Sequence, residues 1–114
     1  MSDAPEMLEF VYLPVFQRAI KGVLDDDACR ELEQTLIDDP ESGDPMGGTG
    51  GVRKLRFAIG GRGKSAGLRI VYYHRNRVGR IYLITAFAKA DQANLTTAQK
   101  NAMRKLTALL DAEN

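Results

Sequence analysis

The residue types that build disulfides and histidine metal sites are nearly absent from this sequence. Cys29 is the only cysteine among 114 residues, so the chain forms no disulfide of its own. His74 is the only histidine, which excludes a metal site with two histidine ligands and an acid–base pair of two histidines. We interpret Cys29 as a packing residue and His74 as structural or solvent-facing, and we predict no cofactor and no metal.

Long apolar runs are missing as well. No segment contains the roughly 18 consecutive apolar residues of a membrane span. Asp3, Glu6 and Glu9 stand where a secretory signal would have basic residues before an apolar stretch. Hydrophobic residues make up 44% of the chain and charged residues 27%, which is ordinary for folded domains. These features predict a single cytoplasmic domain over residues 1–114 that does not enter the membrane.

Acidic residues are absent from the middle of the chain. Residues 1–49 contain twelve acidic and three basic residues, whereas residues 50–90 contain ten basic residues and no acidic one. These cations have no carboxylate nearby in sequence, so a polyanion would find them unneutralised. The alternative is that the acidic N-terminal part neutralises them in the fold. The asymmetry favours a protein that binds nucleic acid or phosphate.

Hydrophobic patterning predicts the element order strand, two helices, three strands and a final helix. Pro14 suits the first turn of a short helix that ends near Lys21. Acidic residues at 25–27 begin a second helix that ends before Pro40, and the Thr96/Gln99 spacing of a capping box begins the last one. The predicted strands cover residues 7–13, 52–59, 68–74 and 79–88, and residues 40–51 form a loop rich in glycine and proline.

The predicted strands carry a row of cations. Lys54 and Arg56 share one face of their strand, about 7 Å apart, and alternate with apolar residues on the other face. Arg69 and Tyr73 share a face of the next strand, and Lys89 closes the last one. Arginine grips phosphate oxygens through its planar guanidinium, and such a set can cut RNA without a metal. Surface charge or passive RNA binding is the alternative that these residues leave open.

The loop Gly61-Arg62-Gly63-Lys64-Ser65 does not fit a phosphate-binding P-loop. That motif needs glycine at position 58, where this chain has Ala58, and it needs a helix to follow, where a strand is predicted here. We interpret the segment as flexible backbone that brings two cations, Arg62 and Lys64, to a ligand.

Four short motifs in this part of the chain resemble the RelE/HigB toxins of type II toxin–antitoxin systems, and most closely the HigB branch. They lie at residues 51–56 (Gly-Val-Arg-Lys-Leu-Arg), 61–65 (Gly-Arg-Gly-Lys-Ser), 67–73 (Gly-Leu-Arg-Ile-Val-Tyr-Tyr) and 81–89 (Ile-Tyr-Leu-Ile-Thr-Ala-Phe-Ala-Lys). The resemblance covers about residues 50–110. It implies an α+β fold of order β-α-α-β-β-β-α, with helices packed on one face of a four-stranded, largely antiparallel sheet.

The resemblance also implies a function: ribosome-dependent, metal-independent cleavage of mRNA, neutralised by a cognate antitoxin of helix-turn-helix type. We expect the toxin alone to be a monomer. By position, the resemblance assigns catalysis to four residues: Lys54, Arg56, Arg69 and Lys89. We assign RNA binding to four more: Arg53, Arg62, Lys64 and Tyr73.

Two departures from RelE-type enzymes leave the acid and the base of the reaction unassigned. Ala90 stands where an arginine often follows the strand-ending lysine, and no tyrosine follows Tyr82. Two other functions therefore stay open. One is a ParE-like inhibitor of DNA gyrase, which shares this fold. The other is an RNA- or ribosome-binding module without catalytic activity.

Overall fold

The computed structural model describes residues 7–58, 67–88 and 95–113 of the chain. Within these ranges the elements follow the predicted order, with one short strand added. They are β1 (Glu9–Tyr12), α1 (Pro14–Ile20), α2 (Asp26–Asp38), β2 (Asp44–Pro45), β3 (Val52–Phe57), β4 (Leu68–Arg75), a 3-10 turn (Asn76–Val78), β5 (Arg80–Ala88) and α3 (Thr97–Asp111).

The helix starts form where the sequence predicts them. Asp25 is the N-cap of α2, and its carboxylate accepts a hydrogen bond of 2.8 Å from the backbone N–H of Ala28. Thr96 and Gln99 form the predicted capping box at the start of α3, which satisfies two backbone donors of its first turn. No helix within the described ranges is long and apolar enough to cross a membrane.

The described strands form one sheet in the order β1-β5-β4-β3-β2. β1 pairs in parallel with β5, and the other neighbours are antiparallel. The prediction of four strands is therefore wrong by one, because β2 lies inside the glycine- and proline-rich loop. Its two residues, Asp44 and Pro45, form a strand only through their pairing with β3, and a two-residue segment has no periodicity that could reveal it.

Helices cover both faces of the sheet, not one face as the resemblance implies. On the first face, α1 and α2 pack through Phe16, Leu32 and Leu36 against residues such as Ile70 and Leu83. On the second face, α3 packs through three of its residues, Met103, Leu106 and Leu110, against Val52, Val71, Tyr73, Tyr82 and Ile84. The centre of the sheet is apolar on both faces, so each face needs a helix layer to exclude water.

The loop between α2 and β3 is fixed to the sheet. The Tyr72 hydroxyl donates to the carbonyl of Pro40 and accepts from the N–H of Gly43, both at 2.9 Å. On the far side of β2, the N–H of Met46 donates to the carbonyl of Val52 at 2.9 Å. These anchors hold β2 against the edge of β3, beside the cations of that strand.

Candidate functional site

The pairing of β3 with β4 brings three of the predicted catalytic residues onto one face of the sheet. Arg56 is the direct cross-strand partner of Arg69, so their Cβ atoms stand about 4.5–5.5 Å apart on the same face. Lys54 lies two residues before Arg56 and projects from that face as well, opposite Val71. We call Lys54, Arg56 and Arg69 the basic cluster.

The basic cluster lies on the second face, next to the residues against which α3 packs. α3 covers the part of this face that contains Val52 and Tyr73, where β3 begins and β4 ends. At the other end of the same strands Arg56 is exposed, and Lys54 and Arg69 are half-buried. Of the three cations, Arg56 is therefore the most accessible to a ligand from solvent.

No carboxylate among the described residues pairs with the basic cluster. The ion pairs that these residues form are Arg30–Asp27, Arg53–Glu41, Arg75–Asp111 and Arg80–Glu9. One guanidinium nitrogen of Arg69, Nη1, is buried and has no hydrogen-bond partner. Like charges directly opposite one another destabilise a strand pair, and an unmet buried donor costs about 1–3 kcal/mol. An anion held between Arg56 and Arg69 would relieve both costs.

Arg53 belongs to the opposite face, although it is adjacent to Lys54 in sequence. Its guanidinium donates to the carbonyls of Glu41 at 3.1 Å and Gly43 at 2.7 Å, and it lies 3.8 Å from the Glu41 carboxylate. Arg53 therefore holds the loop before β2, and its side chain is not part of the basic cluster. We do not retain it as an RNA-binding residue.

Tyr73 lies on the same face as the basic cluster but is covered by α3. Its side chain is only 9% exposed, its ring stacks on that of Tyr82, and its hydroxyl donates to the Asp111 carboxylate at 2.6 Å. Burial, together with the Asp111 hydrogen bond, raises the pKa of Tyr73 to about 12. A ring in this position packs the core, so we do not retain Tyr73 as a surface for stacking RNA bases.

Three further candidates, Lys89, Arg62 and Lys64, lie outside the described residues, as does Ala90. Cys29 packs against the core beneath α2, as predicted, and burial raises the pKa of its thiol. No group of three histidine, cysteine, aspartate or glutamate residues in the described ranges is arranged to hold a metal ion.

Sequence reasoning missed two charged residues that the fold places beside Lys54. Asp44 of β2 is the direct cross-strand partner of Lys54, and Lys100 of α3 lines the same groove. Both are exposed. Nothing in the local sequence links residues 44, 54 and 100, because only the pairing of β2 and the placement of α3 bring them together.

Comparison with known proteins identifies the family. The family model described as "RelE toxin of RelE / RelB toxin-antitoxin system" matches residues 15–114. The chain belongs to the RelE toxin family. The family and the α+β fold that the sequence motifs predict are thus confirmed, while the finer placement in the HigB branch stays a prediction.

Solved structures of low sequence identity share the fold of this RelE-family chain. An arginine-to-alanine double mutant of the E. coli toxin RelE in the free state matches with a TM-score of 0.51 and 14% identity, over 90% of this chain and 97% of that one. A chain of the intact E. coli RelBE toxin–antitoxin complex matches with a TM-score of 0.52 and 16% identity, over 75% of this chain and 100% of that one. At these identities the likeness concerns the arrangement of helices and strands.

Proposed function

We propose that this toxin is a ribosome-dependent mRNA endoribonuclease that blocks translation in the cytoplasm and is neutralised by a cognate antitoxin. The observation that supports this function most directly is the cross-strand pair Arg56–Arg69, with Lys54 beside it, on the second face. RelE family membership gives the proposal its biological setting.

The chemistry is an attack of the RNA on itself. The 2′-oxygen loses its proton and forms a bond to the adjacent phosphorus, the bond from phosphorus to the 5′-oxygen of the next nucleotide breaks, and that oxygen gains a proton. The products are a 2′,3′-cyclic phosphate and a 5′-hydroxyl. The protein must position the phosphate in line and stabilise the charge that collects on its oxygens in the transition state.

The basic cluster suits the second of these tasks. Arg56 and Arg69 are cross-strand partners on one face, and each guanidinium offers parallel N–H donors that match two phosphate oxygens. A phosphate that reached the unpaired Nη1 of Arg69 would give this buried donor a hydrogen-bond partner. Lys54 adds a third positive charge from the same face. The acid and the base of the reaction stay unassigned, and Lys89 stays a predicted catalytic residue that lies outside the described residues.

The basic cluster favours RNA cleavage over inhibition of gyrase. A toxin that acts by binding a protein gains nothing from like charges placed opposite one another, which weaken the sheet unless an anion binds between them. A module that only binds RNA would use the same cations, so the reaction products are needed to separate binding from cleavage.

The test is to map the ends of mRNA cut by the purified toxin on programmed ribosomes. We expect cleavage only with ribosomes present, 5′-hydroxyl and 2′,3′-cyclic phosphate ends, and no cut at a nucleotide that lacks its 2′-hydroxyl. Arg56→Gln should abolish most of the cleavage, whereas Arg30→Gln, an exposed arginine on α2 under the opposite face, serves as the matched control.

Three results would overturn the proposal. Intact mRNA with defects in DNA supercoiling would indicate gyrase as the target. Ribosome binding with no cut at any position would indicate a non-catalytic module. Equal cleavage by the Arg56→Gln and Arg30→Gln variants would remove the basic cluster from the reaction.

The antitoxin is expected to carry a helix-turn-helix domain and to cover or distort the basic cluster. A saturating amount of the protein encoded beside this chain should therefore protect mRNA on ribosomes. Full cleavage in the saturated complex would contradict this part of the proposal.

A further inference from the structure

A groove of about 350 Å³ opens beside the basic cluster, between the sheet edge and the start of α3. Its lining combines cations, one carboxylate and apolar side chains. The residues are Asp44, Pro45, Met46, Gly47, Lys54, Leu95 and Lys100. A groove near the lower end of the size range of small-ligand pockets, about 300–1,000 Å³, suits one nucleotide unit.

Asp44 is the one carboxylate among these lining residues. It is paired in register with Lys54, so both side chains project from the second face. Asp44 is exposed, and within the described ranges no ion pair joins it to Lys54 or to any other cation. Its carboxylate oxygens are therefore available to accept hydrogen bonds from a ligand in the groove.

The backbone on both sides of Asp44 is anchored. Before it, Gly43 donates its N–H to the Tyr72 hydroxyl at 2.9 Å and accepts from the Arg53 guanidinium at 2.7 Å. The approach to the sheet is close here, since a Cβ on Gly43 would stand 2.8 Å from Cε1 of Tyr72. After it, Met46 is bonded to Val52. A carboxylate on such a segment is held in place before the ligand arrives, which lowers the entropy cost of binding.

The opposite wall belongs to the first turns of α3. Lys100 follows the capping box, and its backbone N–H donates to the carbonyl of Thr96 at 3.0 Å. Its aliphatic stem passes Gly48, where an added Cβ would stand 3.5 Å from the Lys100 Cδ. The groove thus has Lys54 on the sheet wall and Lys100 on the helix wall.

This combination matches the parts of a nucleotide. Lys54 and Lys100 suit phosphate oxygens, and Met46 and Leu95 suit the flat face of a base. A carboxylate accepts hydrogen bonds but donates none, so it pairs with the exocyclic amino groups of cytosine, adenine or guanine. Uracil has no exocyclic amino group, and its one donor on that edge, N3–H, lies between two carbonyl oxygens whose partial negative charge disfavours the approach of a carboxylate.

We propose that this groove binds the nucleotide next to the scissile phosphate and that Asp44 selects a base with an exocyclic amino group at that position. The inference rests on the proposed RNA cleavage and adds a specificity-determining residue to it. Because a groove of this size holds one nucleotide, we expect the cleavage rate to depend more on the base at one fixed distance from the cut than on the bases next to it.

The test compares the cut positions of the wild-type toxin with those of Asp44→Asn on a ribosome-bound mRNA library with randomised codons. An asparagine amide both donates and accepts, so it tolerates uracil. We expect the preference for amino-bearing bases over uracil at one offset to fall at least about fivefold, the lower end of what a base-edge contact discriminates. Cleavage with uracil at that offset should rise relative to cleavage with amino-bearing bases there. Asp38→Asn, an exposed carboxylate at the end of α2 under the other face, is the matched control and should leave the pattern unchanged.

The outcomes separate this inference from the proposed function. Unchanged cut positions in Asp44→Asn would overturn the selection of bases by Asp44 and leave the cleavage activity standing. A uniform loss at all positions would also overturn it, because Asp44 would then act in catalysis and not in base selection. Absence of cleavage by the wild-type toxin would refute the proposed function itself. If the groove instead received a side chain of the antitoxin, Asp44→Asn would weaken the toxin–antitoxin complex without shifting any cut, which again contradicts the inference.

Discussion

Replacing Arg69 with methionine is expected to make the fold more stable and the toxin nearly inactive. The side chain is half-buried, and its Nη1 nitrogen is buried without a hydrogen-bond partner. Arg69 is also the cross-strand partner of Arg56, which carries the same charge. Methionine keeps most of the apolar stem of arginine and adapts to irregular space, but it has no charge and no donor.

The size of the effect follows from these two costs. Removal of an unmet buried donor recovers about 1–3 kcal/mol. Removal of a like-charge cross-strand pair recovers a further ~0.2–1 kcal/mol. We therefore expect the free energy of unfolding of Arg69→Met to rise by about 1–4 kcal/mol, and cleavage to fall roughly 100- to 1,000-fold, as for the loss of one donor to transition-state charge.

Urea denaturation gives the stability, and single-turnover cleavage of ribosome-bound mRNA gives the activity. Arg80→Met is the matched control on the same face. Its guanidinium already has partners, since it donates to the Glu9 carboxylate at 2.7 Å and to the Tyr82 hydroxyl at 3.2 Å. That variant should lose stability and keep its cleavage rate.

An Arg69→Met variant that lost stability and retained activity would contradict a phosphate-binding role for Arg69. Arg69 would then be a structural residue whose contacts hold the sheet. A loss of both properties in equal measure with Arg80→Met would lead to the same conclusion.

Three further properties follow from the contacts around α2 and α3. Because the pKa of Tyr73 rises from 10.0 to about 12 in the folded chain, the protonated phenol contributes its full stability below pH 10. That contribution is lost as the pH rises from 10.0 to about 12, because the Tyr73 phenol of the unfolded chain loses its proton before that of the folded chain. A urea concentration at half-unfolding that stays constant over this pH interval would contradict the burial of Tyr73 and its Asp111 contact. Gly50→Ala should lower the free energy of unfolding by at least ~1–2 kcal/mol, because Gly50 has a φ of +81° and an added Cβ would overlap Thr107 Oγ1. Equal urea concentrations at half-unfolding for the variant and the wild type would contradict this. Burial raises the pKa of Cys29, so a thiol reagent near neutral pH should modify the folded chain far more slowly than the urea-unfolded chain, and equal rates would show that the thiol is accessible.

Local chemistry was enough to predict the helix starts and the basic face of β3. Asp25 and Thr96 each cap a helix by accepting a hydrogen bond from a backbone N–H three residues later, so both partners can be identified in the sequence. The alternation around Lys54 and Arg56 fixes their common face through the period of a strand. The position of Arg69 opposite Arg56 depends on the register between β3 and β4, which the sequence analysis did not assign.

Long-range placement is what sequence reasoning could not supply. An amphipathic α3 has an apolar stripe but does not specify which face of the sheet it covers, so the burial of Tyr73 was not foreseen. The assignment of Arg53 to RNA binding does not take strand alternation into account. Alternation directs its side chain to the other face, where its guanidinium donates to the carbonyls of Glu41 and Gly43. The approach of Asp44 to Lys54 depends on a two-residue strand that forms only against β3.

A double-mutant cycle on the single-turnover cleavage rate tests most directly whether Arg56 and Arg69 hold one phosphate. The variants are Arg56→Gln, Arg69→Met and the two together, assayed on the same ribosome-bound mRNA. If both guanidinium groups bind the scissile phosphate, the loss in the double variant will be clearly smaller than the product of the single losses. A cleavage rate of the double variant that falls by the product of the two single losses would contradict a shared phosphate site on this sheet. A double variant that cleaves like the wild type would contradict it as well.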